Sequence, residues 1–326
     1  MLKQISLLIL CAAAIVWFAT PVQACTSAVV SGKVTPDGRP LLWKNRDTDF
    51  MQNHIDYVKG EKYNFIAVVN SANAYLKEAW MGTNSSGFAL MNTQSYNLGD
   101  VKGDEERGAA NGRVIYRALE VCATVEDFCH FLDTISKPSD IEANFGVIDA
   151  QGGAAMFEVD YYKYVMYDAN NPKDAPYGYI ARTNFSFAGK VNEVAGYVRY
   201  MEADQVLMKA SATGNITPQF IFNDLSRSFR NRMLDIDLRS GAYNRPQASG
   251  WFVDQDFIPR SSTSCSVVVQ GVKPGVKAEL TTMWTLLGYP PTGIAIPLWV
   301  KDAGKLLPGM VRFGKEHEAA PLSDWS

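Results

Sequence analysis

The position of one cysteine constrains this chain more than any other sequence feature. Residues 1–24 contain a single charge, Lys3, followed by the apolar run ISLLILCAAAIVWFA and the polar exit TPVQA. That order of segments, with Val-Gln-Ala at its end, is typical of a secretory signal peptide that is cleaved after Ala24. Cleavage there would make Cys25 the first residue of the mature protein, so the fold must accommodate an N-terminal cysteine.

The remainder, residues 25–326, is predicted to be a single domain. Removing 24 of 326 residues leaves 302, and a hydrophobic fraction of 47% is ample for a packed core. We see no further uninterrupted apolar run of about 18 residues, the length that would indicate a stable membrane span. We therefore expect an exported protein, periplasmic or secreted.

Charge and histidine content exclude several classes of function. Without Lys3 the chain carries 30 basic against 34 acidic side chains and has no basic run, so nucleic acid is not an expected partner. The three histidines, His54, His130 and His317, lack the spacing of metal ligands, and we predict neither a metal nor a cofactor. Each is interpreted as structural or solvated rather than catalytic.

Four cysteines remain after residue 24, which is too few for a dense disulfide framework. On one continuous helix Cys122 and Cys129 would lie about 10 Å apart along the axis, too far for a bridge. The stretch TVED, from Thr124, has the pattern of a helix start and could break that helix. Two unbridged thiols remain the favoured interpretation.

Segments rich in strand formers alternate with segments of helical periodicity. The stretch from Cys25 to about Ser95 predicts an antiparallel sheet, and GRVIYRALEVC and VEDFCHFLDTI predict helices that cover one face of it. Further strands are predicted over 144–184, helices from Asn192 to about Ala210 and near PQFIFNDLSRSF, and strands again from SCSVVVQG to GIAIPLWV. This order predicts an α+β fold of two sheets flanked by helices.

An N-terminal cysteine combines two reactive groups in one residue. Its thiol is a nucleophile, and its α-amine, with an ordinary pKa of about 7.7 to 8.0, is a usable base at neutral pH. No histidine is then required for base catalysis. Asp47 closes a predicted strand in WKNRDTDF, but spacing alone leaves open whether it reaches Cys25, and an Asp at a strand end is often a turn residue.

Several motifs in order resemble the N-terminal-nucleophile (Ntn) hydrolases of the choloylglycine hydrolase, penicillin V acylase, acid ceramidase and isopenicillin N acyltransferase group. Cys-Thr-Ser at the mature start is followed by KNRD, which aligns with the group's Arg-Asn-x-Asp. The resemblance implies that Asp47 orients the amine of Cys25. Lys44 stands where arginine is common, so either Lys44 or Arg46 could make that arginine's contact.

Three further site residues follow from the resemblance. The stretch WMGTNSSGFALMNTQSY implies that Asn92 approaches the thiol, although a strand-end asparagine can also serve backbone groups. The stretch YIARTNFSF implies that Asn184 is an oxyanion-hole donor. In GYVRYMEADQVL, Arg199 would stabilise the nucleophile or the acyl carbonyl; its alternative is a surface pair with Glu202.

The resemblance implies a four-layer αββα Ntn fold and a cysteine amidohydrolase that cleaves a linear amide of a small N-acyl substrate through a thioester. Acyl transfer to another amine is a variant of the same chemistry. A dipeptidase of the related cysteine-start family is an alternative. A second alternative is a lipid-anchored binding protein acylated at Cys25, although Gln23 stands where a lipobox has a small residue.

Overall fold

Two antiparallel sheets, packed face to face, carry the fold. The protein is represented by a computed structural model that describes residues 24–99, 108–241, 254, 256–312 and 320–324. The predicted signal peptide up to residue 23 and His317 lie outside these residues. Within the described ranges, no helix combines the length and apolar character needed to cross a membrane.

The first sheet has six strands in the order β10-β1-β2-β13-β14-β15. Their bounds are β1 Cys25–Val30, β2 Leu41–Asp47, β10 Tyr179–Arg182, β13 Thr263–Gln270, β14 Thr282–Leu287 and β15 Ile296–Leu298. The second sheet runs in sequence order from β3 to β9. Its strands are β3 Asn53–Val58, β4 Phe65–Asn70, β5 Met81–Asn84, β6 Ala89–Gln94, β7 Ala143–Ile148, β8 Ala154–Val159 and β9 Tyr164–Asp168. A short ribbon pairs β11, Arg230–Asn231, with β12, Ile236–Asp237.

Helices cover the outer faces of both sheets. Helices α1, Asn111–Val121, and α2, Val125–Thr134, pack on the second sheet through a cluster that includes Leu119 and Phe128. Helix α3, Tyr197–Ser211, packs on the first sheet, followed by α4, Pro218–Phe220, and a π-helical turn, Ile221–Leu225. The short helices α5, Ala303–Leu306, and α6, Pro321–Asp324, lie near the C-terminus. The predicted four-layer α+β sandwich is confirmed.

The predicted grouping of strands needs one correction. The block from Cys25 to Ser95 does not form one sheet, because β1 and β2 belong to the first sheet and β3 to β6 to the second. Side chains such as Val29 and Leu42 from one sheet and Ile66 from the other fill the space between them. Helices α1 and α2 therefore cover only the second of these two groups.

Features that depend on neighbouring residues were predicted more accurately than the grouping of strands into sheets. Thr124 caps α2, its side chain accepts from the N–H of Asp127, and the Asp127 carboxylate reaches back, so the predicted helix start is a capping box. The break between α1 and α2 follows, and Cys122 and Cys129 are both free thiols. The helix predicted from Asn192 begins only at Tyr197, because Gly196 adopts a φ of 77° that does not continue a helix.

Candidate active site

The β1–β2 hairpin brings the start of one strand beside the end of the other. The antiparallel register pairs Cys25 with Arg46, so Asp47 lies one position from the cysteine's partner. The Sγ atom of Cys25 lies 3.9 Å from the main-chain oxygen of Asp47. The contact that sequence spacing left undecided is therefore made, through the backbone of Asp47.

Alternation along the two strands separates the site into two faces. Val29 and Leu42 pack between the sheets, whereas Ala28 and Trp43 pack against the outer helices. Since side chains alternate along a strand, Cys25, Lys44 and Arg46 share the inner face with Val29 and Leu42. Asp47 lies on the outer face.

Asn184 and Arg199 hold the backbone of Cys25. The N–H of Cys25 donates to Asn184 Oδ1 at 2.9 Å, and Arg199 donates to the same oxygen at 2.9 Å and to the carbonyl of Cys25 at 2.7 Å. A third hydrogen bond from Arg199 reaches the hydroxyl of Thr26 at 3.0 Å. Both partners of Oδ1 are donors, and the Asn184 Nδ2 group donates to the carbonyl of Gln94 at 2.9 Å, so the orientation of this amide is determined.

The alternative interpretation of Arg199, a surface arginine paired with Glu202, is wrong. The residue is 2% exposed, because α3 directs it at the first strand rather than at solvent. Glu202 instead accepts from Ser228 at 2.6 Å and forms an ion pair with Arg232. Arg199 is thus a buried link between the backbone of Cys25 and Asn184.

A buried carboxylate fixes the segment that carries Asn184. Glu158, on β8 of the second sheet, accepts from Arg182 Nε at 2.6 Å, from the N–H of Phe187 at 2.8 Å and from that of Ala188 at 2.7 Å. These contacts join the second sheet to the end of β10 on both sides of Asn184. Glu158 was not predicted, since it lies in a strand with no motif around it.

Asp47 is held by two residues that the sequence analysis did not single out. Arg260 Nε donates to its Oδ2 at 2.9 Å, and the Thr263 hydroxyl donates to its Oδ1 at 2.6 Å. The expected contact between this carboxylate and the nitrogen of Cys25 is not made here, because Asn184 occupies that nitrogen. Burial raises the pKa of Asp47 above its ordinary value, and Arg260 and Arg199 oppose that shift.

Lys44 and Asn92 meet across the two sheets. The Lys44 ammonium donates to Asn92 Oδ1 at 2.9 Å and to the carbonyl of Trp80 at 3.1 Å. An ammonium has no acceptor, so Asn92 must present its oxygen to Lys44 and turn its NH₂ group away. Asn92 bonds to a side chain rather than to backbone, unlike the alternative considered above. Burial lowers the pKa of Lys44, and the neighbouring Cys25 opposes this shift.

Lys44 and Arg46 make different contacts. Arg46 donates to the side-chain oxygens of Asn53 and Asn70, and its guanidinium lies 4.8 Å from the centre of the Trp80 ring. Lys44, in contrast, holds Asn92. Lys44 is therefore the cation linked to a candidate catalytic side chain, and Arg46 supports the second sheet.

The described histidines lie away from this arrangement. His54 is buried in β3, where its ring contacts the Ser71 hydroxyl at 3.1 Å and burial lowers its pKa to about 4. His130 is on the exposed side of α2, 3.2 Å from Glu126. Among the described residues, no group of His, Cys, Asp and Glu side chains is arranged to hold a metal ion.

Comparison with known protein families identifies the family of this chain. A family model described as acyl-coenzyme A:6-aminopenicillanic acid acyl-transferase matches residues 34–217, more than half of the chain. The chain belongs to this acyltransferase family. The matched range includes Lys44, Asp47, Asn92, Asn184 and Arg199. No curated protein matches the chain in a sequence comparison.

Solved structures include one amide hydrolase whose fold is similar to that of this chain over most of both chains. A variant of conjugated bile acid hydrolase from Clostridium perfringens is 11% identical, with a TM-score of 0.50 over 85% of this chain and 93% of that one. Penicillin V acylase from Agrobacterium tumefaciens is 14% identical, with a TM-score of 0.45 over 85% and 86%. An N-acylethanolamine-hydrolyzing acid amidase ortholog from Caenorhabditis elegans is 13% identical, with a TM-score of 0.42 over 62% and 89%. The predicted group and fold are confirmed.

Proposed function

We propose that this protein is an exported amidohydrolase that uses Cys25, freed at its amino end, to cleave a linear amide of a small N-acyl substrate. The proposal rests on the hydrogen bonds that hold the backbone of Cys25. Asn184 and Arg199 hold its nitrogen and carbonyl, and its side chain faces Lys44 and Asn92 between the sheets. Removal of residues 1–24 would convert the held N–H into an α-amine.

In this mechanism the cysteine supplies both nucleophile and base. The α-amine takes the thiol proton, and the thiolate attacks the amide carbonyl to form a tetrahedral intermediate. The amine then delivers its proton to the leaving nitrogen, which departs as the free amine and leaves an acyl thioester on Cys25. Water, activated by the same amine, releases the carboxylic acid; an amine acceptor in place of water would give acyl transfer.

The oxyanion is assigned to two amides. Asn92 turns its NH₂ group away from Lys44, and the amide of Asn184 is fixed beside Cys25, with its oxygen on the Cys25 N–H and its NH₂ group on the carbonyl of Gln94. A preorganised donor of this kind contributes about 3 kcal/mol to transition-state stabilisation. Asp47 acts one step away, because its main chain contacts Sγ while its carboxylate is held by Arg260 and Thr263.

The decisive experiment begins with the N-terminal sequence and intact mass of the protein after export. We expect a chain that starts at Cys25 with a free amine and hydrolyses members of a panel of N-acyl amides and dipeptides. Cys25→Ala should abolish turnover, and Asn184→Ala should lower kcat by about 100-fold or more. Cys129→Ala, a change at a half-buried free thiol elsewhere, is the matched control and should retain full activity.

Other outcomes would redirect the proposal. A lipid-sized mass increment on Cys25 would indicate a tethered lipoprotein, because an acylated amine cannot act as the base. Cleavage of dipeptides alone would favour the dipeptidase alternative. Formation of a new amide when an amine is added to the reaction would identify acyl transfer.

A further inference from the structure

A cavity of about 620 Å³ lies far from Cys25, on the opposite face of the first sheet. Trp284, on β14, lines it; Trp284 pairs with Val268, which packs against the outer helices. Cys265, on β13, pairs with Arg46, which is also the partner of Cys25. Gln270, which lines the cavity, is five residues along β13 from Cys265, about 17 Å at 3.4 Å per residue. The volume is within the range of small-molecule sites.

The wall of this cavity includes an irregular helix. Phe222 and Asn223 line it from the π-helical turn, which closes with a hydrogen bond from the N–H of Ser226 to the carbonyl of Ile221 at 2.7 Å. Turns of this type occur mostly as single insertions in α-helices and frequently at functional sites. The irregular backbone is therefore located where a ligand would contact it.

A fixed positive charge also lines the cavity. Arg227 donates from Nε to the carbonyl of Pro290 at 2.7 Å, from Nη2 to that of Gly293 at 2.9 Å, and from Nη1 to Asn223 Oδ1 at 3.3 Å. All three partners are neutral, and no carboxylate pairs with Arg227 in the part of the chain that the structure describes. A held guanidinium with unused N–H groups is suited to a carboxylate.

The remaining lining suits an apolar body. Trp284 and Phe222 supply aromatic surface, and Ile294 contributes an aliphatic side chain that is 69% exposed. We propose that this cavity binds a small monocarboxylic acid with an aromatic or alicyclic body, its carboxylate on Arg227 and its ring against Trp284. This binding does not depend on the proposed reaction at Cys25.

The test is isothermal titration of the whole exported protein with 2-naphthylacetate, and of its Cys25→Ala variant with both this acid and the neutral analogue 2-naphthylacetamide, which the variant cannot hydrolyse. We expect the acid to bind and the amide to bind at least 10-fold more weakly, because only the acid pairs with Arg227. Ile294→Glu places a like charge at the mouth and should also weaken binding at least 10-fold. Leu306→Glu, at a side chain 73% exposed on α5, is the matched control and should bind like the wild type.

Two readouts keep the test decisive. Both substituted side chains are largely exposed, so thermal unfolding of each variant should match the wild type and exclude misfolding as the cause. Cys25→Ala should bind the acid unchanged, which separates this site from the candidate active site. Absence of binding at millimolar acid, equal binding of acid and amide, or binding unaffected by Ile294→Glu would each overturn the proposal.

Discussion

Strand β2 carries buried charges on both faces, and the two faces treat them differently. On the outer face Asp47 is paired with a cation, Arg260. Among the described residues, Lys44 and Arg46 on the inner face hydrogen-bond only to neutral oxygens. Burying a cation without an ion-pair partner is costly, so the inner face is not arranged for stability. It directs positive charge at the space where, in the proposed mechanism, the Cys25 thiolate and an oxyanion would form.

Lys44→Met tests the role of the inner face and has the largest expected effect. The change removes the Lys44 ammonium, one of the two inner cations, and frees the amide of Asn92. We expect kcat/KM for an amide substrate to fall by about 1,000-fold. Because the ammonium is buried among neutral groups, the same change should raise the free energy of unfolding by about 1 kcal/mol. Activity measurements and urea unfolding of the same preparation test both.

Lys44→Arg is the control for charge. It restores the residue common in the related motif and should keep activity within about 10-fold, since a guanidinium can also donate to Asn92. If Lys44→Met destabilises the protein instead, the Lys44 ammonium supports the fold, and the proposed difference between the inner and outer faces is wrong.

On the outer face we expect the opposite behaviour from Arg260→Gln. This change leaves the buried Asp47 carboxylate without its counter-ion, and the free energy of unfolding should fall by about 3 kcal/mol. Adding Asp47→Asn removes the unpaired charge and should recover much of the loss, which a double-mutant cycle measures. Additive effects of the two changes would show that the pair is not coupled.

The buried imidazole of His54, which stays neutral, gives an effect that appears only as the pH is lowered. Burial lowers the pKa of His54 from its ordinary value of 6.5 to about 4. Between these two pH values the imidazole is protonated in the unfolded chain and neutral in the folded one. The free energy of unfolding should therefore fall as the pH drops from 6.5 to about 4, by up to about 3 kcal/mol.

Urea unfolding across this pH range measures the slope. His54→Gln should reduce it, whereas His130→Gln, at a side chain that is 70% exposed, should leave it unchanged. An unchanged slope in His54→Gln would assign the pH dependence to other groups.

Residues whose partners are close in sequence were predicted well. The capping box at Thr124 and the antiparallel β1–β2 pairing depend on a few neighbouring residues, and local patterns specify them. Arg260 was missed because its partner, Asp47, lies 213 residues away and no pattern links the two. The division of the first strands between two sheets was missed for the same reason, since the alternation of a strand does not identify its neighbours.

The strand order also determines when the site can form. The neighbours of β1 and β2 in the first sheet include β10 and β13, so the surroundings of Cys25 depend on strands up to Gln270. Contacts that are this distant in sequence form slowly, because long loops must close first. A nascent or truncated chain that ends before residue 260 would contain Cys25, Lys44, Asn184 and Arg199 but neither Arg260 nor β13. Cys25 is therefore synthesised long before β13 and Arg260, and its surroundings are complete only when these later segments have emerged.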